Sequence, residues 1–281
     1  MTIAVLGDVM ADVFAAVPGP LARGSDTPAR VRFGGGGQGA NTAAWLGALG
    51  APVVFVGRVG DDAAGRSAVA SLRALGVDVR VTVDAERPTG CCVVIVEPDG
   101  ERTMLPDAGA NDAPATLPAG VLGAGDHLHV AGYALLRAGS RGGAVEALAA
   151  ARAVGATTSL DPSSAALLGG DPFAGLRFDL VRANLDELRA LTGADDPRGL
   201  LSLAGEVVVT LGADGAVWTD GEREERVAAV PATVVDTVGA GDAFVAGLLA
   251  ARASGAPPRE SLAAGCAAAA RAVARRGGRP T

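Results

Sequence analysis

The sequence predicts an α/β protein: a three-layer α/β/α arrangement with a mainly parallel central sheet and a small β-sheet lid. Three observations carry this. Short apolar runs ending in Gly, Asp or Asn alternate with Ala-rich helical stretches along most of the chain. Segments 13–33 and 77–106 instead combine Pro or turn residues with strand-like alternation, and are assigned to the lid. No internal repeat or low-complexity linker interrupts the 281 residues, so 1–281 reads as one domain.

Composition narrows the function. The chain is 49% hydrophobic and 20% charged, with ample material for a core. A net charge of -7 and the absence of a basic stripe argue against a nucleic-acid partner. No apolar stretch is long enough for a membrane span and no secretory leader is recognisable, which reads as a cytoplasmic protein. Cys91, Cys92 and Cys266 form neither a disulfide framework nor a CxxC metal site. The chain has no Lys, so its 24 basic residues are all Arg. That excludes a Walker P-loop, a protein-kinase strand Lys and a Lys Schiff base. Any nucleotide must be held by backbone donors, Arg and metal.

Taken in order, residues 2–6 form a buried strand ending at Gly7-Asp8, where ligands of open α/β sheets collect. Asp8 is a ligand contact or a turn residue, and Asp12 lies nearby. The glycine run 34–37, with Gln38, Gly39 and Asn41, opens a helix to about 49. Gly34, Gly36 and Gly39 match a dinucleotide fingerprint formally, with Asp61 near the expected distance. The first strand lacks that motif, however. A glycine loop on which a sugar lies flat, with Asn41 facing its hydroxyls, suits the run better.

Further on, residues 53–56 read as a strand, 62–75 as a helix, and 77–83 as an alternating strand. Residues 91–96 and 102–105 flank a Pro98-Asp99-Gly100 turn as a hairpin. His127 and His129 share one strand face, a structural placement. Then come helix 138–154 and strands 157–160 (ending at Asp161), 179–182 and 206–211. Asn184 and Glu187 form either a capping box, a hydrated Mg²⁺ site, or both.

The most informative stretch is 234–244. An apolar run, 228–235, feeds a Gly239-Ala240-Gly241 turn, and an Ala-rich helix to 253 follows. Free N–H groups and the helix dipole there attract an anion. Asp242, in the first helical turn, is a capping charge or a general base.

These residues together resemble the ribokinase (PfkB) family of ATP-dependent sugar kinases, nearly end to end. The segment 36–41 is similar to its first signature, and 236–244 to its second. Asn184-x-x-Glu187 and Thr210-Leu211-Gly212 resemble motifs between them. The resemblance implies a ribokinase-like fold, with ATP as donor and a primary hydroxyl of a sugar, ribose-like or ketohexose, as acceptor. Asp242 would be the catalytic base, with Gly239, Ala240 and Gly241 as the anion hole. Asp12, Gly36, Gly37 and Asn41 would hold the sugar. Thr210, Gly212 and Asn184 would line the ATP site, with Gly265 a weaker match there, and Glu187 would hold Mg²⁺ through water. Asp236 and Val238, with the 273–277 region, resemble a monovalent-cation (K⁺) loop. Gln38 stands where ribokinases proper carry Lys, which bears on ribose itself. A nucleoside kinase, a catalytically silent sugar- or nucleotide-binding regulator, an NAD(P) enzyme and a homodimer are the alternatives kept open.

Overall fold

The computed structural model describes residues 1–99 and 101–280. The chain order is β1 (Ile3–Leu6), β2 (Met10–Ala16), β3 (Arg30–Gly36), α1 (Gln38–Ala48), β4 (Val53–Gly60), α2 (Ala63–Ala74), β5 (Asp78–Asp84), β6 (Gly90–Val96) and β7 (Arg102–Asp107). It continues with β8 (His127–Ala131), α3 (Tyr133–Leu136), α4 (Ala138–Ala153), β9 (Thr157–Asp161), β10 (Phe178–Asn184), α5 (Leu185–Thr192), β11 (Ala204–Thr210), β12 (Ala216–Thr219), β13 (Glu224–Val227), α6 (Ala240–Ala253) and α7 (Pro258–Val273).

The main sheet has nine strands in the order β13-β12-β11-β10-β9-β8-β1-β4-β5. The run β11 to β5 is parallel throughout; β12 and β13 close one edge antiparallel. Parallel strands need crossover connections, and the helices that supply them cover both faces. One core, around Trp45, Phe55 and Phe244, packs α1, α2, α6 and α7 on one face. The other, around Leu128, Leu148 and Phe173, packs α4 and α5 on the opposite face. The expected three layers are present. His127 and His129 are buried on β8, both sharing Ser159 Oγ of β9, and burial pushes both rings down to about 3. They stay neutral core residues, as expected.

The small sheet has the order β3-β2-β6-β7. Two expectations change here. The strand over 77–83 is not part of it: β5 pairs with β4 at the edge of the main sheet, because α2 is a standard right-handed crossover between parallel neighbours. The glycine run is not a loop either. Gly34, Gly35 and Gly36 are in β3, paired with Asp12, Ala11 and Met10. This also removes the dinucleotide reading, since an antiparallel strand replaces the required strand-to-helix turn. The hairpin is present as β6 and β7, with Gly100 of its expected turn outside the described residues. The apolar run 228–235 is irregular chain, with Val234 and Val235 exposed.

Candidate active site

One side of the candidate site is built where β1 ends. Gly7 lets the strand end touch α1: a Cβ there would lie 2.8 Å from Gly39 Cα and 2.7 Å from Ala131 Cβ. Asp8 is buried, and its Oδ1 accepts the Gly39 N–H at 3.2 Å while its backbone carbonyl accepts that of Ala40 at 3.0 Å. Asp8 thus fixes the start of α1. That start presents Asn41, whose Nδ2 donates to Asp242 Oδ2 at 2.9 Å and whose Oδ1 accepts Arg279 Nε at 3.1 Å. Arg279 Nη2 also donates to the Gly36 carbonyl at 2.7 Å. Asp12, on β2, lies directly over Gly36, where any side chain would collide with its carboxylate. Asp12, Gly36, Gly37 and Asn41 are therefore brought together. Burial pushes the Asp12 carboxyl up to about 6 against the pull of Arg279, and lowers Arg279 to about 10.

Asp242 sits in the first turn of α6. The preceding Gly239 has φ 74°, a left-handed conformation costly for other residues, and a Cβ would lie 2.5 Å from Gly278 Cα. Ala240 N–H is taken by the Thr237 carbonyl at 3.3 Å. Of the three glycine-turn residues assigned to an anion hole, Ala240 thus has its donor engaged. Gly241 and Asp242 carry first-turn N–H groups, which find no acceptor within a helix. Burial pushes the Asp242 carboxyl up to about 8; Asn41 opposes this, Asp161 and Asp8 add to it, and Arg182 opposes it.

Facing this turn is a cluster on the ends of β9, β10 and β11. Arg182 Nη1 pairs with Asp161 Oδ2 at 2.8 Å, both buried, and Nη2 donates to Thr210 Oγ1 at 2.7 Å. A Cβ on Gly241 would come within 3.1 Å of the guanidinium. Asp161 Oδ1 accepts Gln38 Nε2 at 2.7 Å, so the residue standing in for Lys is tied to this cluster. The Asn184–Glu187 capping box is formed, each side chain accepting the other's backbone N–H at 2.8 Å. Burial, then the neighbouring Asp161, push the Glu187 carboxyl up to about 7.

On the other side of Asp242 opens a cavity of about 560 Å³. Its polar end carries Arg182, Asn184, Thr210 and Gly212; the rest is walled by small apolar residues of the 229–234 segment and by Cys266, Ala269, Ala270 and Val273 of α7. Gly265 is not in this wall. It faces α6, where a Cβ would lie 2.8 Å from the Phe244 ring, so its role is close helix packing. Asp236 lies below the turn and accepts Val238 N–H at 2.9 Å and Gly277 N–H at 3.0 Å.

Sequence reasoning missed three site residues. Arg182 had a signal, a charge inside the apolar run of β10. Asp161 had another, its place at the carboxyl end of a parallel strand. Arg279, far along the chain from Asn41, had none.

A polar cluster with Asn41, Asp242 and Arg279 on one side and an apolar cavity on the other thus meet at the N-terminus of α6. The model of the pfkB family carbohydrate kinases matches residues 2–281. The chain belongs to that family, and is a carbohydrate kinase. It is 34% identical over 270 residues to a fructokinase of Klebsiella pneumoniae, covering 89% of this chain and 84% of that one. Its fold is similar to an adenosine kinase from Sinorhizobium meliloti (TM-score 0.86, 26% identity, 99% and 95% coverage). It is also similar to a fructokinase from Vibrio cholerae solved with fructose, ADP and calcium ion (TM-score 0.81, 27% identity, 99% and 94% coverage).

Proposed function

We propose that the enzyme transfers the γ-phosphoryl group of ATP to a primary hydroxyl of a fructose-like ketohexose, with Asp242 as general base. The observation that carries this is the position of Asp242. It is held by Asn41 on the acceptor side, and its own helix N-terminus opens on the apolar pocket. The sugar lies against Asp12, Gly36, Gly37 and Asn41; adenine fills the pocket walled by α7, with Thr210, Gly212 and Asn184 at its phosphate end. Asp242 removes the hydroxyl proton as the oxygen attacks the phosphorus. The first-turn N–H groups, with the Arg182 guanidinium opposite, face the charge on the transferring group. A base near pKa 8 suits proton transfer close to neutral pH.

A divalent ion, Mg²⁺, fits beside Glu187 and Asn184. Glu187, with Asp161 near it, offers only one or two carboxylates there. That favours a hydrated ion held through water, neutralising phosphate charge. The four-stranded sheet serves as the lid. Across its outer face Phe33, Val13, Val93 and Leu105 form one cross-strand row, with Phe33 81% and Leu105 54% exposed. We assign this apolar row to a homodimer contact. Free cysteines suit a cytoplasmic setting.

The test is coupled ADP release with ATP and Mg²⁺ against fructose, ribose, other sugars and adenosine. Fructose as the best acceptor is expected. Adenosine as the best one would replace the ketohexose reading with a nucleoside kinase, the reading favoured by the similar adenosine kinase. ATP binding with no acceptor turned over would favour the silent regulator.

A further inference from the structure

The family resemblance assigns a monovalent cation to the loop at Asp236 and Val238, and the oxygens of this chain do not fit one. Such ions are held by rings of carbonyl and carboxylate oxygens that replace the hydration shell. Here the Val273 carbonyl already accepts two N–H groups, from Val235 at 2.7 Å and Asp236 at 3.2 Å. The Asp236 carboxylate accepts the Val238 and Gly277 N–H groups, one on each oxygen. Its remaining strong partner is a cation from elsewhere: Arg102 Nη2 lies 2.9 Å from Asp236 Oδ1, the Asp236 side chain 8% and that of Arg102 26% exposed. A metal cation within a few ångströms of this guanidinium would be repelled by it.

We infer that Arg102 supplies the positive charge at the Asp236 loop, so that this kinase works without a monovalent cation. Arg102 opens β7, in the small sheet, whereas Asp236 opens the turn that sets Gly239 and the first N–H groups of α6. The charge therefore comes from the lid. Arg102 acts through that loop and is a positioning residue: it holds the segment leading into the anion site. Arg also keeps its charge at every working pH, and its planar fork suits a carboxylate. The inference rests on the kinase reading for its rate measurement only.

The full chain is tested in KCl and in tetramethylammonium chloride at equal ionic strength, by melting temperature and by ADP release with fructose. The wild-type protein is expected to melt at the same temperature and to turn over at the same rate in both salts. Arg102→Met is expected to lose about fivefold in rate in both salts, the size of one partly exposed ion pair, with no K⁺-specific recovery, because the loop oxygens stay engaged with their N–H groups. Arg102→Lys, which keeps the charge, should remain indifferent to K⁺. A K⁺-specific melting shift or severalfold activation in the wild type overturns the inference, as does an Arg102→Met protein that keeps the wild-type rate and melting temperature. Because melting requires no acceptor, a failure to phosphorylate fructose leaves that arm decisive.

Discussion

The two sides of Asp242 are built from different chemistry. The acceptor side gathers Asp8, Asp12, Asp242, Asn41 and Arg279, nearly all of them polar side chains with assigned partners. The opposite side is mostly Ala, Val and Pro with a thin polar end. A ligand that displaces one of these paired groups without replacing its hydrogen bond leaves it unpaired, at a cost of about 1–3 kcal/mol for each. A smooth apolar slot discriminates by shape and only weakly. Selectivity of this enzyme should therefore reside with its acceptor, and tolerance with its nucleotide.

That contrast can be broken at its centre first. Asp242→Asn should lower kcat by roughly 10²–10⁴-fold with sugar binding retained, as read by steady-state rates and calorimetry; near-normal turnover would remove Asp242 from the role of base. Next, Arg182→Met strands the buried Asp161 carboxylate and should cost about 3–5 kcal/mol in a denaturant titration. A smaller loss would mean that Gln38 and the Ser163 N–H suffice for Asp161.

Two weaker changes separate the sides. A hydrogen bond to a carboxylate favours its charged form, so Asn41→Ala should raise the proton affinity of Asp242 further. The wild-type kcat/KM should rise with pH around a midpoint near 8, and the variant's midpoint should lie higher by about one pH unit. An unmoved midpoint would detach Asn41 from the base. On the apolar side, Ala269→Phe should raise KM for ATP about tenfold while kcat on the sugar changes little. An equal effect on the sugar would mean that the pockets are not independent.

Legibility in the sequence followed the same division. Local chemistry was readable: the Asn184–Glu187 box opens α5, and Asp242 lies in the first turn of α6. Each depends on residues a few positions apart. The register of β3 was not readable, because glycines have no side chains to alternate and only pairing with β2 makes them a strand. Nor could periodicity assign β5, whose half-exposed alternation suits a lid strand and a sheet edge equally. Arg279 reaches Asn41 across 238 positions, a contact that only the folded chain reveals.

The root of the small sheet has a mechanical consequence. The Asn111 side chain both accepts the Val9 N–H at 3.0 Å and donates to the Val9 carbonyl at 2.9 Å, completing the hydrogen bonding of that residue as a neighbouring strand would. With Asp8 fastened to the start of α1, the base of β2 is clamped from two directions. Such a sheet has no slack hinge. Its far end is tied as well on one edge, where Arg102, opposite Val96, reaches Asp236, so amide protons at Val9 and Ala40 should exchange more slowly than those near Ala16 and Arg30, on the edge away from that ion pair.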